Sequence, residues 1–210
     1  MSHVVLLGDS IFDNAVYVPD RPPVIEQVRR GLPPGWKATL IAVDGHMVED
    51  IPSQIARTPK DSTHLVLSVG GNDALQASGL LRERAGTVAD ALITIAEALT
   101  EFRKAYGEML AHVLGLGKPT CICTIYDAIP AILGPAERAA LAGFNDIISR
   151  AAISTGIPLI DLRVICNHPD DYSPLSPIEP SVIGGAKIAD AICRMLAGHD
   201  FATKRTAVWV

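Results

Sequence analysis

Residues 3–11 read His3-Val4-Val5-Leu6-Leu7-Gly8-Asp9-Ser10-Ile11. Four apolar residues in a row are closed by a glycine, a carboxylate and a hydroxyl. So short a run, without polar alternation, suits a strand buried on both faces, as strands of parallel sheets are. The same form recurs at Ala38–Val43, His64–Ser68, Thr120–Ile125 and Pro158–Ile160. Between and after these runs lie helical patterns at about Val24–Gly31, Val48–Arg57, Thr87–Leu116, Pro135–Thr155 and Ser181–Ala197. The clearest is the third, where Val88, Leu92, Ile95, Leu99, Phe102, Tyr106, Met109 and Val113 form one apolar stripe before Gly115 and Gly117 end it. Strand and helix alternating in this way predict a three-layer α/β/α sandwich with a parallel five-stranded sheet. Such sheets bind ligands beyond the carboxyl ends of their strands, so the chemistry is sought just after each strand.

Length and composition agree with one folded unit. The 210 residues are 49% hydrophobic and 20% charged, enough for a sheet-and-helix core in a single domain over 1–210. The core is expected over about 3–197, with 198–210 as a tail. Within that tail, Ala207–Val210 reads either as an edge strand or as an apolar end packed on the body. Two long irregular stretches, Ile125–Gly134 and Cys166–Pro180, carry prolines and invite a functional reading.

The formal net charge is -5, and Lys204-Arg205 is the nearest approach to a basic cluster. Nucleic-acid and anionic-membrane surfaces need more clustered Lys and Arg than that. No apolar run has the length of a membrane span, and the apolar start lacks a basic leader, so a cytoplasmic location is expected. Cys121 and Cys123 share a strand face, while Cys166 and Cys193 are solitary. Zinc spacing is absent, and buried structural thiols are expected.

The strand ends carry the chemistry. Gly8-Asp9-Ser10 follows the first strand, Asp44-Gly45-His46 the second, and Gly70-Gly71-Asn72-Asp73 the third. Acyl transfer through a serine needs a hydroxyl held at a sharp turn and donors aimed at the developing oxyanion. Ser10 lies three residues past Leu7, where a turn exposes its hydroxyl. Gly45 lets its backbone N–H approach an oxyanion closely. Asn72 supplies an amide donor, and Asp9 and Asp73 hold the loops by accepting backbone hydrogen bonds. Neither Gly-x-Gly-x-x-Gly nor a phosphate-binding Gly-x(4)-Gly-Lys follows the first strand, which disfavours a nucleotide-binding domain.

In order and spacing these blocks resemble the SGNH (GDSL-type) hydrolase superfamily, over residues 3 to about 197. The resemblance implies Ser10 as nucleophile and oxyanion donor, with Gly45 and Asn72 as the other donors. It further implies a small ester or acyl substrate and neither metal nor cofactor.

The fourth block departs from the pattern. Pro180-Ser181-x-x-Gly184 opens the last helix in register, with Ser181 as N-cap. Glu179 then stands where the superfamily has its catalytic His, and Ser176 where it has the orienting Asp. Three readings remain open. Glu179 is the base, raised by burial against Ile178 and Leu175 and held by Ser176; or His168 or His46 replaces it; or no base exists, and the chain binds an acyl or ester ligand without efficient turnover. A carboxylate is the weaker proton acceptor unless burial raises it, so slow turnover is expected. The competing structural role for Glu179 is a first-turn charge suited to the helix dipole.

Overall fold

Val4 and Leu6 point to one side of the sheet, Val5 and Leu7 to the other, and all four are fully buried. A strand sends alternate side chains to opposite faces, so this run requires a helical layer on each side. The computed structural model describes residues 2–129 and 132–210. The strands are β1 (His3–Gly8), β2 (Lys37–Leu40), β3 (His64–Ser68), β4 (Thr120–Cys123), β5 (Leu159–Ile160) and β6 (Val208–Trp209). The helices are α1 (Val24–Gly31), α2 (Ile51–Ala56), α3 (Gly71–Ala77), α4 (Val88–Leu114), α5 (Pro135–Thr155), α6 (Leu162–Ile165) and α7 (Val182–Gly198).

The sheet runs β2-β1-β3-β4-β5-β6, and every pairing is parallel. One core joins Val4, Leu6, Val66, Cys121, Cys123 and Ile160 to α1 and α7. The other joins Val5, Leu7, Leu65, Leu67, Ile122 and Leu159 to α2, α4 and α5. Cys121 and Cys123 do share a face, and all four cysteines are free thiols. Among the described residues no helix is long and apolar enough to cross a membrane.

Two expectations need correction. The sheet has six strands, not five, because the tail returns as β6. Leu159 and Asp161 donate backbone N–H groups to Ala207 and Trp209 at 3.0 and 2.9 Å, and Trp209 packs on the α1/α7 core. The apolar stripe of α4 is also only half buried. Phe102, Tyr106, Met109 and Val113 lie in the core, while Val88 is 78% and Leu92 64% exposed. α4 and α5 follow parallel strands, so both begin at the carboxyl end of the sheet. They touch at Leu99 and Gly143, where a Cβ on the glycine would come within 2.4 Å of Leu99. Short of that point they enclose a cavity instead of core.

The stretch after β3 is helical, as α3 and a 3-10 turn over Ser78–Arg82. Of the proline-rich Ile125–Gly134 stretch, Pro130 and Ala131 lie outside the described residues.

Candidate active site

The turn that carries Ser10 is dictated by Gly8. Its φ is 131°, and a Cβ there would stand 1.7 Å from the Ser68 carbonyl oxygen, so only glycine fits. Beyond it the Asp9 N–H donates to Ser68 O at 3.1 Å, and Phe12 and Asp13 both donate to Asp9 O at 3.1 Å. Fully buried Gln54 clamps the glycine: its Oε1 accepts from Gly8 N at 2.8 Å and its Nε2 donates to Gly8 O at 2.7 Å. Ser10 is thereby fixed at the mouth of a central strand.

Asn72 lies in the first turn of α3, just past Gly70 at φ 119°. Its Nδ2 donates to His46 O at 2.9 Å, and the Asp73 carboxylate accepts from Val48 N at 3.2 Å. These bonds stitch α3 to the loop after β2. Gly45, at φ 80° in that loop, sits between Asp44 N–H, which donates to Asp13 at 3.1 Å, and His46 N–H, which donates to Val43 O at 3.2 Å. Among the described residues, the Ser10 and Gly45 N–H groups donate to no protein acceptor. The Asn72 amide carries two N–H groups, and the bond to His46 uses one. These three donors therefore remain open.

Glu179 is buried, 4% exposed, in a loop held from four sides. Its N–H donates to Ser176 O at 3.0 Å, and its carbonyl accepts from Ser173 N at 2.8 Å. The Tyr126 hydroxyl donates to Ile178 O, and fully buried Asn14 donates to Pro180 O at 3.1 Å. The carboxyl lies beside the Ser10 hydroxyl. Burial raises its pKa to about 7, the Ser10 hydroxyl pulls it back by hydrogen bonding, and Asp44 pushes it up. Oε2 is buried and has no hydrogen-bond partner. Two expected helpers are elsewhere: Leu175 is 62% exposed, and Ser176 contributes its backbone to the turn.

Ser10, Asn72 and Glu179 line one cavity of about 310 Å³; Gly45 is not among its lining residues. Neither candidate histidine lines it. His46 turns its Nδ1 to Gln54 Nε2 at 2.9 Å. His168 is 64% exposed and accepts from Asp170 N at 3.2 Å, capping a short turn. Among the described residues no group of three or more His, Cys, Asp or Glu is placed to hold a metal ion. Ser181 caps α7, accepting from Ile183 N at 3.0 Å and Gly184 N at 3.2 Å.

Asp9 is a second buried carboxyl at the site. Its Oδ1 accepts from Ile11 N at 3.1 Å, and burial first, then the Glu179 and Asp73 charges, raise its pKa to about 8. Its folded pKa thus lies above its ordinary value of 3.8, and between the two the folded state holds a proton that the unfolded state releases. Its contribution to stability is full below about pH 4 and is lost as pH rises through 8. Asp9→Asn keeps the acceptor for Ile11 N and removes this titration. The variant is expected to gain on wild type between pH 4 and 9, by something on the order of a few kcal/mol. Thermal melts of both proteins across that range check it, and a constant difference in Tm counts against the buried neutral carboxyl.

Comparison with known proteins places this geometry in context. The sequence model of the GDSL-like Lipase/Acylhydrolase family matches residues 6–183. No curated protein matches the chain. Among solved structures, a lipase from a goat rumen metagenome is similar at TM-score 0.72 and 18% identity, covering 94% of this chain and 98% of its own. An extracellular lipase of Streptomyces rimosus gives TM-score 0.67 at 16% identity, covering 95% and 100%. An acetyl xylan esterase of Geobacillus stearothermophilus gives 0.67 at 17%, covering 95% and 96%.

Proposed function

The chain belongs to the GDSL-like lipase/acylhydrolase family, and on that premise we propose that it hydrolyses a small ester through an acyl-enzyme on Ser10, with Glu179 as proton acceptor. The observation that carries the reading is the Ser10 hydroxyl beside a buried carboxyl whose pKa burial has moved to about 7. At that value Glu179 is half ionised near neutral pH, where a general base works best. The slow turnover expected of an ordinary carboxylate no longer follows.

Ser10 Oγ attacks the ester carbonyl carbon while its proton passes to Glu179. The tetrahedral oxyanion accepts from the N–H groups of Ser10, Gly45 and Asn72. Collapse breaks the bond to the alkoxy oxygen, and Glu179 returns the proton to the leaving alcohol. Water then attacks the acyl carbon, giving its proton to Glu179. Carboxylic acid leaves, and the proton returns to Ser10.

Ser176, not a carboxylate, stands where a Ser-His-Asp site has its orienting Asp, and Glu179 needs none: a carboxylate has no tautomer to fix. Its place is set by Tyr126, Asn14 and Ser173 acting on the backbone around it.

The donors give a direct test. Asn72→Ala is expected to lower kcat on p-nitrophenyl acetate by about 10²–10³-fold while changing KM little. A variant with wild-type kcat removes Asn72 from the oxyanion site.

A further inference from the structure

Ser10, Asn72 and Glu179 occupy only one end of the cavity of about 310 Å³. The remainder is mainly apolar, with Ser78, Arg82 and Glu137 also on its lining, and lies between α3, the N-terminal halves of α4 and α5, and the chain after β4. Leu141 and Phe144, 6% and 4% exposed, are buried apolar walls on α5, with Ile95 and Leu133 partly buried on the same cavity. The space exists because small side chains face it from three helices: Ala74 and Ala77 on α3, Ala98 on α4, Ala136 and Ala140 on α5. Ala136 and Ala140 are one turn apart, and Ala98 follows Ile95 by three residues, so each pair lies on one helix face. Larger residues there would narrow the groove, as α4 and α5 already touch closely at Leu99 and Gly143.

The other flank of Ser10 is polar. Tyr17 donates to Asp44 at 2.7 Å, and both lie close enough to Glu179 for their charges to interact. An ester set on Ser10 thus meets apolar wall on one side and polar groups on the other. A two-carbon acyl group would leave most of the apolar wall uncovered. The cavity volume is roughly ten times the ~30 Å³ of one liquid water, and a methylene is of similar size.

Resting on the serine-hydrolase reading above, we propose that this cavity receives the acyl chain of a medium-length linear ester, about octanoyl, and that Ala98 and Ala140 set its length. A buried methylene favours the reaction by up to about fourfold in kcat/KM, so specificity rises steeply with chain length until the cavity is full.

The test compares p-nitrophenyl acetate with p-nitrophenyl octanoate, which differ in the acyl group alone. The intact chain is expected to favour octanoate by at least about tenfold in kcat/KM, short of the full sum because burial is incomplete. In Ala98→Leu and Ala140→Leu, separately and together, the octanoate-to-acetate ratio should collapse towards one or below. That ratio within one variant does not depend on how much of it folds. A fluorophosphonate adduct on Ser10, found by peptide mass, reports separately on the serine. If Ser10 labels but octanoate reacts no faster than acetate, or the ratio survives both leucines, the acyl-chain assignment is overturned and the serine reading stands. If Ser10 neither labels nor turns over either ester, both are overturned.

Discussion

Ser10→Ala is expected to abolish ester hydrolysis, by about 10⁴–10⁶-fold in kcat, since a missing nucleophile leaves only the oxyanion donors and binding. The fold should survive. Ser10 is buried, but the turn around it is held by Gly8, by Asp9 and by the Gln54 clamp, none of which uses its hydroxyl. A change in stability within about 1 kcal/mol of wild type is expected. The variant should also leave the Glu179 carboxyl without the hydrogen bond that lowers its pKa, so that group moves up. Hydrolysis of p-nitrophenyl acetate by purified wild type and variant, with melts on the same samples, checks both statements. A variant that is folded and fully active assigns the activity to another group.

The second large effect concerns the base. Glu179→Gln keeps the size of the side chain and removes its basicity, so acylation should fall by about 10²–10⁴-fold. In wild type the rate should rise with pH through one ionisation near 7, because the carboxylate acts only when ionised and burial has raised its pKa to about that value. The Gln variant should lose that ionisation from its profile. His46→Ala and His168→Ala should leave the ionisation in place, since neither ring lines the cavity. Glu179→His with Ser176→Asp restores the residue pattern of the superfamily, and its profile should move towards that of an imidazole. Loss of activity in a histidine variant with retention in Glu179→Gln would move the base to that histidine.

Much of this site could be read in the sequence because short buried strands end at fixed places. Val4–Leu7 and Leu65–Leu67 are unbroken apolar runs, so the strand ends just before Ser10 and Asn72 were placed within a residue or two. The start of the last helix was equally readable, because Ser181 is a capping residue standing where a helix start belongs. Three features were left open or misjudged, each for a physical reason. The sixth strand is two residues long, and its place depends on Trp209 finding the α1/α7 core, a contact distant in sequence. The apolar stripe of α4 looks uniform, yet burial depends on whether a second helix lies over it, which local periodicity does not encode. The side chains that fix the site, Gln54, Asn14 and Tyr126, bond to backbone far along the chain. A Gln or Asn in isolation carries no sign that it will be buried. The sequence offered Glu179 as one of several candidate bases, but what burial does to it became visible only with its loop folded.

The central claim is that Ser10 is a nucleophile activated by Glu179. It is tested most directly by the rate of fluorophosphonate labelling as a function of pH, in wild type and in Glu179→Gln. The account predicts an adduct on the peptide carrying Ser10, forming at a rate that rises through a single ionisation near pH 7. It also predicts labelling at least about a hundredfold slower in the variant, with that ionisation gone. An unlabelled wild-type Ser10 would contradict the claim and leave a protein that binds an acyl or ester ligand without turning it over. Equal labelling of the two proteins would leave the nucleophile in place and take the base away from Glu179.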